Sequence, residues 1–200
     1  GLMVLILFLL AAVSPLMAGD AERIGTASGV QVQIPVGGRD LAMGGANLAR
    51  TSGLEALYWN PAGLSSSLYQ GSAMFSTMNT IADIRVNYFA VTAYVEKIGF
   101  LALDMKTTSF GDIPMTTNRD YDNKSGQSFS PTFVTAGITF SRKITDIIQF
   151  GIKTKMIYES IPRASASALA FDIGIQYHSM ANIENLSLGV AMKNIGTDMQ

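Results

Sequence analysis

Much of the sequence alternates between apolar residues and polar or small residues with a period of two. Between residues 148 and 158 the even positions are apolar except for Thr154, whereas the odd positions up to Lys155 are polar or glycine. Residues 168–177 and 186–193 repeat this pattern. Because successive side chains of a strand point to opposite faces of a sheet, the pattern predicts strands with one apolar and one polar face. Four further candidate strands lie at residues 69–78, 84–95, 99–109 and 132–142.

Strand length and composition favour a membrane barrel over a soluble protein. Strands of about 9–12 residues can cross a bilayer at a tilt, and no apolar run after residue 18 is long enough for a transmembrane helix. Only 14% of the residues are charged, against about 25% in ordinary soluble domains. A soluble β-sandwich also alternates, but its strands usually have about five or six residues. We therefore predict an all-β fold, a transmembrane antiparallel outer-membrane β-barrel.

The connections between the candidate strands have unequal lengths. Turns near residues 96–98, 143–146 and 179–185 would lie on the periplasmic side, and loops near 79–83, 110–131 and 159–167 on the extracellular side. Such barrels have short periplasmic turns and longer extracellular loops. Seven strands leave an open edge, so we expect residues 68–200 to form the first half of a longer barrel.

The first residues predict export. Leu2–Val13 is an apolar run of about a dozen residues, and it is followed by Ser14-Pro15 and the small residue Ala18. This is typical of a signal peptide, residues 1–18, that is cleaved, although an N-terminal anchor helix is an alternative. The prediction places the protein in the bacterial outer membrane, with membrane lipid as a partner. A net charge of −1 argues against nucleic-acid binding, and there is no cysteine for a disulfide or thiolate site.

Residues 19–67 precede the first candidate strand and do not alternate. Glycines at positions 37, 38, 44 and 45 interrupt regular structure, and short helical turns are expected near residues 46–49 and 54–57, the second ending at Asn60-Pro61. Such a compact segment is suited to a plug inside a barrel. The glycines do not form a phosphate-binding loop, because the Lys-Ser/Thr of that motif is absent.

Four short motifs in this region resemble a known family. They are residues 25–27 (GTA), 34–39 (IPVGGR), 43–46 (MGGA) and 58–64 (YWNPAGL). Together they resemble the PorV/PorQ-type outer-membrane proteins and, more distantly, the FadL-like transporters of hydrophobic compounds. The chain departs from the family at Gly38, where alanine is usual, and at residues 50–53, where the family is more acidic.

The resemblance implies a fourteen-stranded barrel with an N-terminal plug, of which this chain supplies the plug and about seven strands. It also implies a role in protein secretion of the type IX kind, in which cargo proteins with a C-terminal β-domain are passed to surface attachment machinery. The alternatives are transport of hydrophobic small molecules and a purely structural role. The candidate functional residues are those of the plug motifs: Arg39, Gly44, Gly45, Tyr58, Trp59, Asn60 and Pro61.

The residues themselves give little support for catalysis or for a cofactor. His178 is the only histidine, and the adjacent Ser179 would point to the other face of a strand, so we expect no enzyme activity. One histidine and no cysteine give no metal-ligand spacing. Arg39 is expected to pair with a carboxylate of the barrel wall, Asp104 or Asp172, and Asn60 to satisfy backbone groups at the turn before Pro61.

Overall fold

The computed structural model describes residues 29–80, 84–116, 122, 124–161, 164–180 and 183–199. The predicted signal peptide, residues 1–18, and residues 19–28 of the predicted plug lie outside these ranges. Within the described ranges, no helix is both long and apolar enough to span a membrane.

The chain is mostly β and builds one seven-stranded antiparallel sheet. Its strands are β1 (Gly71–Asn79), β2 (Arg85–Val95), β3 (Gly99–Ser109), β6 (Thr132–Lys143), β7 (Ile148–Ile161), β8 (Ala164–Tyr177) and β9 (Leu188–Gly196), adjacent in that order. Two short strands, β4 (Ile113–Pro114) and β5 (Ser128–Phe129), pair with each other inside the β3–β6 connection. All seven predicted strands are confirmed, and the described part of the sheet does not close on itself.

One predicted loop is wrong. Residues 159–167 were expected to form an extracellular loop, but β7 and β8 continue to pair as far as Ile161 and Ala164, so only residues 162 and 163 separate them. The sequence does not alternate clearly at Ser165, Ala166 and Ser167. The backbone of these residues nevertheless pairs with β7 and continues the ladder of hydrogen bonds between the two strands. The two longest connections are therefore residues 110–131 and 178–187, and they lie at opposite ends of the sheet.

A second correction concerns residues 194–196, whose Asn-Ile-Gly sequence predicts a turn. They belong to β9, and Asn194 has a φ of 60°, the left-handed value that asparagine tolerates. The register of β8 against β9 shifts between Phe171 and Ile173 at this point. The left-handed residue therefore forms an irregularity within the strand, not a reversal of the chain.

Residues 29–67, here called the N-terminal segment, contain only short helical elements. These are 3-10 helices at Val30–Gln33, Gly53–Glu55 and Pro61–Ser66, and the helices α1 (Gly38–Ala42) and α2 (Ala56–Trp59). The expected helical turn near residues 54–57 is confirmed, and residues 43–50 form consecutive hydrogen-bonded turns. The segment packs against one face of the sheet, which we call the inner face; the opposite face is the outer face.

The two faces have opposite chemistry and opposite exposure. On β7 and β8 the buried inner face carries one large apolar residue, Ile157, and otherwise polar or small residues, Gln149, Gly151, Lys153, Lys155, Ala168, Ala170, Asp172, Gly174 and Gln176. The outer face carries large apolar side chains that remain exposed, such as Phe75 (72% exposed) and Ile138 (62% exposed). The predicted alternation is therefore confirmed. The polar side chains lie on the face that the N-terminal segment covers, and the apolar side chains lie on the exposed face.

The apolar core lies between the N-terminal segment and the first strands. Leu54, Leu57 and Leu64 of the segment are buried against Val86 and Ala90 of β2. The core extends to Ala102 of β3 and to Val36, and Tyr88 also belongs to it.

Candidate functional site

The Asn60-Pro61-Ala62 sequence lies against positions of the seven-stranded sheet, here called the wall, that have no side chain. A Cβ atom at Gly151 would lie 2.3 Å from the Pro61 carbonyl carbon, and one at Gly174 would lie 2.0 Å from Asn60 Oδ1. Both glycines project onto the inner face. We call this contact the seat; it exists because β7 and β8 have glycine where the segment approaches most closely.

Asn60 is fully buried in the seat and its amide is satisfied on both sides. Its Oδ1 accepts from the backbone N–H of Ala62 at 3.2 Å, which caps the 3-10 helix that begins at Pro61. Its Nδ2 donates to the carbonyl oxygens of Leu48 at 2.9 Å and Ile175 at 3.1 Å. The expectation that Asn60 satisfies backbone groups at its turn is confirmed, and the bond to Ile175 also fixes the turn to β8.

Three further wall side chains hold the segment by hydrogen bonds. Gln176 Nε2 donates to the carbonyl oxygens of Leu48 and Thr51, each at 3.0 Å. Ser141 Oγ donates to Ala62 O at 2.9 Å, and Ser66 Oγ donates to Gln149 Oε1 at 2.9 Å. The strands β6, β7 and β8 therefore each contribute a polar side chain that binds the segment.

The remaining motif residues brace the segment internally. Gly44 and Gly45 adopt φ values of 63° and 77°, and a Cβ at Gly45 would lie 2.5 Å from the Trp59 ring. Trp59 Nε1 donates to Val36 O at 3.0 Å, and Tyr58 Oη donates to Gln33 O at 2.8 Å. The motifs that are separate in sequence thus meet in one compact unit, with Pro61 buried at its base.

The pairing expected for Arg39 is wrong. Its Nε lies 3.3 Å from Asp40 Oδ1 and 3.6 Å from Glu55 Oε2, and its side chain is 51% exposed. Neither wall carboxylate is available to it, because each already has a lysine partner on the inner face. Arg39 instead stabilises the segment, where the buried Asp40 also accepts from Asn47 and Thr51.

The wall carboxylates belong to a buried charged cluster on the inner face. Lys153 Nζ lies 2.7 Å from Asp104 Oδ2, and Lys155 Nζ lies 2.7 Å from Asp172 Oδ1. Lys153 is on β7 and Asp104 on β3, so the lysine side chain crosses the intervening strand β6 over Gly137, where a Cβ would lie 2.5 Å from Lys153 Cε. A third glycine thus permits an ion pair between strands that are not neighbours.

Two more lysines complete this cluster beneath α2. Lys106 Nζ donates to the carbonyl oxygens of Gln31 at 2.7 Å and Ile34 at 2.9 Å. Lys193 Nζ lies 3.7 Å from the centroid of the Tyr58 ring, within cation–π distance. Burial and, to a lesser extent, the Asp172 carboxylate raise the pKa of Tyr58 to about 12.

A cavity of about 20 Å³ lies among these side chains. Val32, Leu57 and Tyr58 line it from the segment, and the four lysines and two aspartates line it from the wall. This volume matches roughly one water molecule. The cavity therefore has room for about one small particle, and its lining is mostly charged.

His178 lies apart from this cluster, after the end of β8. Its Nδ1 is 3.4 Å from Ser187 Oγ, and burial lowers its pKa, as do the charges of Arg50 and Lys143. Among the described residues, no group of three or more His, Cys, Asp or Glu side chains could hold a metal ion.

Reasoning from the sequence did not identify the residues of the sheet that form the seat. Gly151, Gly174 and Gln176 were assigned only to the polar face of their strands, and Ser141 was not singled out, because alternation does not show which residues meet the N-terminal segment. The signal in the sequence was a glycine at an inward position of each of two consecutive strands, Gly151 and Gly174; that the two are direct partners in the β7–β8 ladder is seen only in the structure.

The comparisons with known proteins returned nothing that bears on this site. No family model, no curated protein and no solved structure matches the chain.

Proposed function

We propose that the chain forms a plugged wall of a bacterial outer-membrane β-barrel of the PorV/PorQ type. In this proposal residues 1–18 are a cleaved signal peptide, residues 19–67 the plug and residues 68–200 the first half of the barrel. The protein acts in secretion or surface presentation, by binding the C-terminal domains of cargo proteins beside the attachment machinery.

The observation that carries the membrane assignment is the inverted distribution of polarity over the sheet. A soluble sandwich covers its apolar face and exposes its polar one. Here the covered inner face of β3, β7 and β8 holds lysines, aspartates and glutamines beside the apolar core on β2, and the exposed outer face holds leucines, isoleucines and phenylalanines. Alternation with apolar residues outward and polar residues inward is the arrangement of a transmembrane barrel wall.

The outer face also offers a groove that suits a lipid chain. It has a volume of about 380 Å³ and is lined by Val91, Ala93, Leu101, Leu103, Ile138 and their neighbours. Membrane lipid is the partner that such an exposed apolar surface favours.

The way in which the N-terminal segment is held supports a closed barrel over a transporter of hydrophobic molecules. Its seat combines close backbone contact at Gly151 with hydrogen bonds from Asn60 and Gln176. The cavity below Tyr58 is charged and small. A hydrophobic solute passing here would have to displace the segment and contact four ammonium groups, which is unfavourable.

A pair of charge substitutions tests the membrane assignment. Ile138→Lys places a charge in the middle of the outer face, whereas Ile144→Lys places it in the β6–β7 connection at a similarly exposed position (65%). A lysine at the bilayer midplane costs about 2–4 kcal/mol, and one near the interface about 0–1 kcal/mol. We expect Ile138→Lys alone to reduce the amount of folded protein in isolated outer membranes. Equal tolerance of both variants, in a protein recovered from the soluble fraction, would refute the barrel.

The secretion role is tested by affinity purification of the tagged protein from its native membrane. We expect co-purification of secreted proteins that share a C-terminal β-domain, or of surface attachment proteins. Bound hydrocarbon or lipid without a protein partner would replace this role by transport.

A further inference from the structure

The charged cluster beneath α2 has more positive than negative groups. Lys153 pairs with Asp104 and Lys155 pairs with Asp172, each at 2.7 Å. Lys106 and Lys193 have no carboxylate within salt-bridge distance among the described residues; their closest interactions are with backbone carbonyls and with the Tyr58 ring. With all four lysines protonated, four ammonium groups against two carboxylates leave an excess of two positive charges around the cavity, one on the buried Lys106 and one on the half-buried Lys193.

A buried charge without a counter-charge is strongly unfavourable. A lysine in this situation can lower the cost by releasing its proton or by acquiring an anion. The two outcomes differ in what else the site must provide. An anion needs hydrogen-bond donors that are free and point toward one small volume, whereas proton release needs none.

Free donors are present around the cavity. Lys155 Nζ is saturated, because its three contacts are the two Asp172 oxygens and Asn194 Oδ1. Lys106 and Lys153 each make two hydrogen bonds and keep one N–H group free. Lys193 makes a ring contact only, so its N–H groups remain available.

One buried hydroxyl group adds to this set. Thr135 Oγ1 lines the cavity and has no hydrogen-bond partner, and the residue is more than nine-tenths buried. Tyr88 Oη also lines the cavity, but it interacts with the Asp104 carboxylate. A neutral water molecule would leave both excess charges uncompensated, whereas a monovalent anion compensates one of them.

We propose that this cavity binds a single monoatomic anion of the halide class, held by the ammonium groups of Lys106, Lys153 and Lys193. The volume of about 20 Å³ matches one water-sized particle, which favours a monoatomic anion over a polyatomic one. The anion links β3, β7 and β9 to the N-terminal segment, since Lys106 binds the segment backbone and Lys193 contacts Tyr58. The site does not depend on the membrane role proposed above.

The test uses the purified full-length protein and two readouts. Thermal unfolding is followed in sodium chloride and in sodium gluconate at equal ionic strength, and crystals grown in sodium bromide are examined for anomalous scattering. We expect chloride to raise the unfolding temperature in a saturable manner, gluconate to have no such effect, and a bromide peak to lie in the cavity. Equal unfolding temperatures in both salts, or bromide at the protein surface as an adventitious ion only, would overturn the proposal.

Variants assign the effect to the cavity. Lys106→Met and Lys193→Met should each weaken chloride binding by about tenfold or more, because each removes a positive charge that the anion contacts. Lys143→Met, at the exposed end of β6, is the matched control and should leave the chloride dependence unchanged. If Lys106→Met does not fold, Lys193→Met and the bromide peak of the unmodified protein still decide the question. A chloride effect that persists in Lys193→Met with unchanged affinity contradicts the assignment.

Discussion

The N-terminal segment contacts the sheet in two different ways. Over β2 and β3 the contact is apolar, formed by Leu54, Leu57 and Leu64 against Val86 and Ala90. Over β6, β7 and β8 it consists of glycines, hydroxyl groups and amides that meet the segment backbone. The apolar part of this contact stabilises the segment by burial, which does not depend on orientation. The polar part consists of directional hydrogen bonds, which determine where each backbone group must lie. The apolar contact with β2 and β3 is thus enough to attach the segment to the sheet. Its exact position depends on the hydrogen bonds and close contacts with β6, β7 and β8.

The apolar half should give the largest single loss of stability. Leu57 is fully buried, and Leu57→Ala should lower the free energy of unfolding by about 2–5 kcal/mol through lost burial and a cavity. Urea titration measures this change, and Leu48→Ala, at an exposed position of the same segment, is the control. A loss below that of the control would show that the apolar contact is not a true core.

The seat should tolerate added volume poorly. Gly151→Ala places a methyl group 2.3–2.4 Å from three backbone atoms of Pro61 and Ala62, none of which belongs to a flexible side chain. We expect destabilisation at the upper end of the ~1–3 kcal/mol typical of overpacking. Hydrogen exchange should show lost protection in residues 56–66. Gly71→Ala, where the nearest atom is 3.7 Å away, is the matched wall control, and equal behaviour of the two variants would argue against a close seat.

The side-chain amide of Asn60 should stabilise the protein through the hydrogen bonds that its Nδ2 donates, and not only through its shape. Asn60→Ala removes the bonds to Ile175 and Leu48 and should cost about 1–3 kcal/mol. Asn60→Asp keeps the acceptor for Ala62 but faces two carbonyl oxygens with a carboxylate, so it should be more destabilising than alanine. The reverse order in a denaturation series would mean that only the local cap is important.

The smallest effect should appear only at high pH. The pKa of Tyr58 is raised to about 12 by burial and by Asp172, whereas in the unfolded chain this phenol has an ordinary pKa near 10. Above pH 10 the unfolded state releases the proton first, so the contribution of Tyr58 to stability is lost as the pH rises from 10 toward 12. Below pH 10 the stability curves of the protein and of Tyr58→Phe should therefore run parallel, and between pH 10 and 12 the unmodified protein should lose stability relative to the variant. A difference in pH dependence at neutral pH would contradict it.

The sheet could be predicted from the sequence, but its closest contacts could not. Period-two alternation located every long strand because the two faces have different chemistry. It failed at residues 159–167, where alanine and serine give no contrast, and at Asn194, whose left-handed conformation serves an irregular pairing within β9. Alternation also assigned Lys153 and Lys155 to the face of Asp104 and Asp172. Because strand register is not readable from one sequence, the carboxylates were attributed to Arg39 instead of to these lysines.

The hydrogen bonds that hold the N-terminal segment also bear on the order in which parts of the chain fold. Asn60 binds the carbonyl of Ile175, which lies 115 positions further along the chain, and the backbone of Gly29 binds Glu159 across 130 positions. Contacts at such separation form late, since the intervening chain must be ordered first. The N-terminal segment is synthesised before every strand, yet it can adopt its final position only after β7 and β8 are paired. Its docking therefore marks the completion of this part of the sheet, and errors in strand register would leave the segment undocked and open to proteolysis.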